Sequence, residues 1–362
     1  MHWLYVINPG STSTKTGLFR NDCCVGDAVI SHTVESLQQA DGIQGQLAVR
    51  LLTIENALKS ALAGMGLRRE DISAFVGRGG LLHPVAGGTW LVNQAMLDDL
   101  SSCRYGEHAS NLGAQIAASM AWPLGKKAYI VDPPVVDEMI ELARYTGLPS
   151  LRRRSAFHAL NQKAVARRAA LSMGRDYEKC NFIVAHLGGG ISVAAHARGQ
   201  VIDVNDALEE GPFSPERAGT LPALQLLALA AEHGCDLTKL RRMLVGRGGL
   251  YAYTGTTDVK KISELAADRP DYAQLLEAMA YQIAKSIAAM AACLCGQVDG
   301  IILTGGLAHS QRITSEIINR VGFLGPVLEY PGEMELQALA DGALRVLCGQ
   351  EKASLYEKEV AM

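Results

Sequence analysis

Phe182-Ile183-Val184-Ala185-His186-Leu187, then Gly188-Gly189-Gly190, then Ile191-Ser192-Val193-Ala194-Ala195-His196, is the stretch on which the fold turns. Two apolar, β-branched runs joined by three glycines read as a strand, a tight turn and a second strand. A turn at Arg198-Gly199 and the segment Gln200 to Val204 complete a three-stranded meander. The same order stands at the head of the chain: Trp3 to Asn8, a turn containing Gly10, Thr14 to Arg20, a turn at Asn21-Asp22, and Cys24 to Thr33. The residues hardly repeat, but the pattern does. It predicts two related α/β halves, each a mixed β-sheet flanked by helices.

Outward from the meanders, Leu51, Leu52, Ile54, Ala57, Leu58, Ala61 and Leu62 recur at helical spacing within Ala48 to Leu67, and Ala74 to Gly77 reads as a short buried strand. In the second half Gln274 to Cys295 is a long Ala-rich helix, and Val298 to Gly306 a buried strand ending in a glycine pair. The last helix, Glu335 to Leu347, crosses back to the first domain, and Ala338, Ala340, Gly342 and Ala343 suit it to close packing. The architecture that answers to this order is the actin-like, or sugar-kinase-like, fold: two RNase H-like domains facing across a nucleotide-binding cleft. The expected domains are residues 1–134 with 336–362, and residues 135–335. A chance duplication of a meander is the alternative.

At 362 residues the chain exceeds what one core usually organises. Nearly half of it is apolar and a fifth charged, as in ordinary globular enzymes. A formal charge of −3 with scattered lysines and arginines gives no footprint for nucleic acid or an anionic membrane. Leu221 to Ala231 is apolar but shorter than a membrane span and reads as a core helix. Eight cysteines lack zinc-site spacing and are expected as buried thiols in a reducing cytoplasm. No secretory leader pattern precedes Trp3, so a cytoplasmic location is expected.

Phosphate oxygens are held by turn N–H groups, hydroxyls and a reaching cation. Asn8 to Lys15 offers all three, in Gly10, Ser11, Thr12, Ser13, Thr14 and Lys15. It is no Walker loop, because a strand follows it. Gly188, Gly189 and Gly190 form a second such turn, and Gly305-Gly306 lets a planar ligand approach the backbone. Each motif alone is equally an ordinary turn.

Together the motifs resemble the acetate/butyrate kinase family. Ile7 to Lys15, Val76 to Leu82, Phe157 to Ala164 and His186 to Gly190 run in family order over nearly the whole chain. The resemblance implies an ATP/ADP-using, Mg²⁺-dependent phosphotransferase with a carboxylate acceptor. By that likeness Arg78, Asp132, His158 and Arg217 are catalytic, while Ser11, Ser13, Lys15, His186 and the three glycines hold phosphate. Thr257, Asp258, Gly305 and Gly306 take the nucleotide, Gly79, Gly80, Phe157 and Pro212 line the acyl pocket, and Asn8 with Glu333 serves Mg²⁺, Glu335 being the other choice. Asp258 reads equally as a turn-capping residue.

Acetate kinases carry two valines where this chain has Gly79-Gly80. The lost volume predicts room for butyrate or a branched short-chain acid, converted reversibly to its acyl phosphate. An acetate or propionate kinase, or an actin- or chaperone-like ATPase, is the competing reading. A homo-oligomer, dimer or larger, is expected.

Overall fold

The structure is a computed structural model and describes residues 1–33 and 42–357. It divides into two compact units, Met1–Val136 with Met334–Met362, and Asp137–Glu333.

The first unit is built on seven strands: β1 (Trp3–Pro9), β2 (Ser13–Arg20), β3 (Cys23–Ser31), β4 (Ala74–Arg78), β5 (Thr89–Leu91), β6 (Lys127–Val131) and β12 (Ser354–Leu355). Their order is β12-β5-β6-β4-β1-β2-β3. β1, β2 and β3 pair antiparallel, while β4 runs parallel to both β1 and β6. Alternation sends Tyr5, Ile7, Phe75 and Ile130 into one core with the helices Leu47–Ala63 and Asn111–Ala121. Asn8 and Arg78 sit one and three residues beyond Ile7 and Phe75, so both take the opposite face. The helix Glu335–Leu347 packs there against β1, β4 and β6. Its small residues are required: a Cβ on Gly342 would lie 2.5 Å from both Val131 methyls.

The second unit repeats the order with β7 (Asn181–Leu187), β8 (Ile191–Ala197), β9 (Gln200–Val204), β10 (Gly300–Gly305) and β11 (Val327–Pro331), arranged β11-β10-β7-β8-β9. Here too three antiparallel strands adjoin two parallel ones. Even the irregularity recurs, a register shift between the second and third strands at Leu18/Phe19 and again at Ala195/His196. Ile183, Ala185, Leu187, Ile301 and Leu303 face the helix Pro270–Cys293. Phe182, Val184 and Ile302 face the helix Ala159–Ser172. The next residues of that second face, His186 and Thr304, therefore point toward the first turn of helix 159–172.

Two expectations fail at the surface. Helix Ala223–Glu232, expected in the core, buries no residue, and Leu224 and Leu227 are exposed. Apolar content marks a helix but does not say what covers it. Of the cysteines only Cys180 is buried; Cys23, Cys24, Cys235, Cys295 and Cys348 are exposed, and all eight are free thiols. Cys103, Cys235 and Cys295 have positive φ and sit in connecting segments that no core surrounds. Among the described residues no helix is long and apolar enough to cross a membrane.

Candidate active site

Ligands of open α/β sheets gather beyond the carboxyl ends of the parallel strands. In the first unit those ends carry Asn8 on β1, Arg78 on β4 and Asp132 just after β6. Arg78 donates through Nη1 to Glu335 Oε1 at 2.5 Å and to Asn8 Oδ1 at 3.3 Å, and Asn8 Nδ2 donates to Glu335 Oε2 at 2.6 Å. A cation is thus pinned between a carboxylate and an amide on a strand edge, with about a third of its side chain exposed. Glu335 comes from the first turn of the last helix. His108 also belongs to this neighbourhood, since burial and then the positive charge of Arg78 depress its pKa. Asp132 adopts φ of 37° and accepts from Gly88 N–H at 2.7 Å, tying the end of β6 to the approach of β5.

The β1–β2 turn rests on a residue that the apolar periodicity passes over. Arg50, fully buried on helix 47–63, donates to Ser11 O at 2.9 Å, Ser13 O at 3.3 Å and Thr14 Oγ1 at 3.1 Å. Its guanidinium occupies the backbone carbonyls of the turn and leaves Ser11 and Lys15 exposed, with Ser13 half-buried. A Gly10 N–H to Ser13 O bond closes the turn.

The room expected beside Arg78 is absent. A Cβ on Gly79 would lie 2.5 Å from Pro133 Cβ, and one on Gly80 2.6 Å from Asn111 Cα and 2.7 Å from Leu100 Cδ2. Both glycines are buried. Their missing side chains make way for the protein itself, so the volume argument for a longer acyl chain does not hold at these positions.

In the second unit the corresponding ends carry His186 on β7 and the glycine turn after it, Thr304 and Gly305 on β10 with Gly306 just beyond, and Gly332-Glu333 after β11. The His158 and His186 rings stack with centroids 3.8 Å apart and planes within 11°. His186 is 2% exposed; burial, and then the neighbouring His158, hold its pKa well below 6.5, so the ring is neutral. Its Nδ1 lies 2.9 Å from Asn161 Oδ1 and its Nε2 3.6 Å from Glu333 Oε1. His158 Nδ1 lies 2.8 Å from Ser192 Oγ. Glu335 therefore accompanies Asn8, while Glu333 belongs with His186.

Arg217 lies against the glycine turn: a Cβ on Gly190 would be 1.9 Å from its Nη1. Ser214 Oγ donates to Gly189 O, and Arg217 Nη1 to Ala207 O at 2.9 Å. The loop is braced by residues 244–250, through Ala218 N to Leu244 O, Gly246 N to Glu216 O and Leu250 N to Ser214 O. Within those braces Val245 to Leu250 repeats the letters of Val76 to Leu81, but with Gly246 and Gly249 at positive φ, where Gly77 and Gly80 are not. Phe157 and Pro212 are buried. Gly305 has φ of 88° and approaches Leu187 O, whereas the space beside Gly306 is open. Asp258 is exposed and caps the helix Val259–Leu265 by accepting from Lys261 N–H at 3.1 Å, and Thr257 beside it is exposed.

The acetokinase family model matches residues 144–346. Butyrate kinase 2 of Clostridium acetobutylicum is 48% identical over 98% of this chain and 99% of its own. Among solved structures, acetate kinase of Porphyromonas gingivalis superposes with a TM-score of 0.76 at 19% identity, covering 95% of this chain and 99% of its own. A propionate kinase of Francisella tularensis superposes at 0.71 and 19% identity, covering 94% and 99%.

Proposed function

The chain belongs to the acetokinase family, and from that premise we propose that it is a butyrate kinase, catalysing ATP + butyrate ⇌ ADP + butyryl phosphate by direct in-line transfer. The observation that carries the acid is the near-half identity to a butyrate kinase over essentially the full length of both chains.

A carboxylate is ionised at neutral pH and needs no base to become a nucleophile. The barrier is repulsion between its anionic oxygen and the γ-phosphate, so the residues must position and neutralise. Arg78, already oriented by Glu335 and Asn8, attracts the carboxylate and the phosphoryl oxygens. Arg217 adds a second cation on the glycine turn, whose N–H groups at Gly189 and Gly190 suit phosphate oxygens, that of Gly188 donating to Gly190 O at 3.2 Å. Ser11, Ser13 and Lys15 serve the polyphosphate, and His158 and His186 donate to the transferring group. Asp132 keeps the end of β6 in place. The open backbone at Gly306 receives the adenosine, with Gly305 setting its angle, and the exposed Thr257 and Asp258 are further nucleotide contacts in this reading.

Among the described residues no three His, Cys, Asp or Glu side chains gather as a metal cage. Mg²⁺ keeps several waters and takes few protein ligands, and Asn8 Oδ1 with the Glu335 carboxylate, which here accept from Arg78, are the oxygens that would hold it. Bound there with nucleotide, the ion would neutralise developing phosphate charge.

A hydroxamate assay across C2 to C5 acids, straight and branched, tests the assignment: the optimum falls on butyrate. An optimum at acetate would overturn the butyrate assignment, and ATP hydrolysis indifferent to added acid would overturn the kinase itself.

A further inference from the structure

A neutral imidazole donates from one nitrogen only, so a stacked histidine pair is useful to an anion only if both protons sit on the outward nitrogens. The inward nitrogens here meet Asn161 and Ser192, and Gln162 holds Ser192. We propose that Asn161 and Gln162, adjacent on the first turn of helix 159–172, are positioning residues that keep His186 and His158 as their Nε2–H tautomers. The inference rests on the reading that both rings face the transferring phosphoryl group.

For His158 the chain of donors is fixed from the inside outward. Gln162 Nε2 donates to the Ser192 carbonyl at 3.1 Å, an atom that can only accept, and to Ser192 Oγ at 2.8 Å. Its Oε1 takes the proton of His196 Nε2 at 3.1 Å, and Tyr177 OH donates to His196 Nδ1 at 2.7 Å. Ser192 Oγ accepts from Gln162, and because the residue is fully buried its own hydrogen needs an acceptor, which among the described contacts is His158 Nδ1, 2.8 Å away. That nitrogen is bare, and the His158 proton is on Nε2.

For His186 the deciding group is the buried Asn161 amide, whose oxygen and nitrogen are distinguished only by their partners. With Oδ1 toward His186 Nδ1 and Thr304 Oγ1, the Nδ2 group and its two hydrogens have no acceptor. Turned over, the amide donates both hydrogens, one to His186 Nδ1 and one to Thr304 Oγ1, and Thr304 donates onward to Gly332 O at 3.3 Å. One acceptor is then left over instead of two donors, and donors are the groups rarely orphaned. The outward side agrees. His186 Nε2 faces the Glu333 carboxylate at 3.6 Å, and two acceptors would repel there. Burial keeps the ring neutral, so its single proton is the one the amide assigns.

The test is a long-range ¹H–¹⁵N spectrum of the full-length protein labelled with ¹⁵N-histidine, the two rings identified by the signals lost in H158Q and H186Q. Both rings of the wild type show the proton on Nε2. In Asn161→Asp the carboxylate can only accept, so His186 moves its proton to Nδ1 while His158 is unchanged. At alkaline pH, where the ring is neutral, kcat of that variant falls on the order of 10²-fold, the cost of one lost donor, and the nucleotide KM stays near the wild-type value. A wild-type His186 protonated at Nδ1, or an N161D ring that keeps its proton on Nε2, overturns the assignment. The wild-type spectrum decides even if N161D fails to fold. Tautomers as assigned, in a protein without acid-dependent phosphoryl transfer, would support the assignment and refute the proposed activity.

Discussion

At the carboxyl end of β1 the first unit gathers Arg78, Glu335 and Asn8, whereas at the carboxyl end of β7 the second gathers stacked His158 and His186 with Asn161 and Thr304. Both corners arise from the same order of three antiparallel and two parallel strands. In both, the side chains point to the face covered by one helix whose first turn completes the group. What differs is charge and depth. The first corner holds a cation and a carboxylate partly open to solvent, while the second holds a nearly sealed, neutral His186 stacked on a second imidazole. A duplicated framework fixes where a functional group stands, and local burial decides whether it can carry charge.

The sharpest way to break this contrast is Arg78→Ala. Turnover should fall by about 10³-fold or more, the scale of losing a cation that stabilises a transferring phosphoryl group, while circular dichroism remains native. Activity near wild type would remove Arg78 from the mechanism. On the neutral side, His186→Gln should cost on the order of 10²-fold in kcat. Because the rings touch, the H158Q/H186Q double variant should lose much less than the product of the single losses; full multiplicativity would show that the rings act independently.

Gly80→Val probes packing rather than chemistry. With Asn111 Cα where the new side chain must go, it should destabilise the first unit by about 1–3 kcal/mol, seen as a lower melting temperature with an unchanged acid profile. A shift toward acetate at unaltered stability would restore a pocket at this glycine.

The smallest effect is on pH and stability. Burial, followed by the charges of Lys163 and Arg167, holds the His196 pKa well below its ordinary 6.5, so the folded ring stays neutral where the unfolded one takes up a proton. The unfolded state then binds more protons, and stability falls as pH drops from 6.5 toward the folded value. The slope is about 1.4 kcal/mol per pH unit for each such histidine. Denaturant unfolding between neutral and mildly acid pH measures it, and a flat profile would contradict the neutral interior.

Much of this was legible beforehand. Strand alternation and glycine turns gave both meanders, and the last helix runs from Glu335 to Leu347 as its periodicity predicts. Arg50 was invisible because an arginine in an amphipathic helix reads as solvent-facing until the carbonyls it binds are seen. The partner of Asn8 was equally hidden, since Glu333 and Glu335 are two residues apart and only the start of the helix separates their environments. Gly80 misled for the opposite reason: an absent side chain does not say whether ligand or protein fills the space.

The ion pair between Arg78 and Glu335 spans 257 residues of chain. During synthesis the second unit, contiguous in sequence, emerges whole before the helix that completes the first. At ordinary ribosomal speed Arg78 waits roughly 13–50 s for Glu335. The charged corner is thus completed later than the histidine corner, all of whose residues precede Glu335 in the chain.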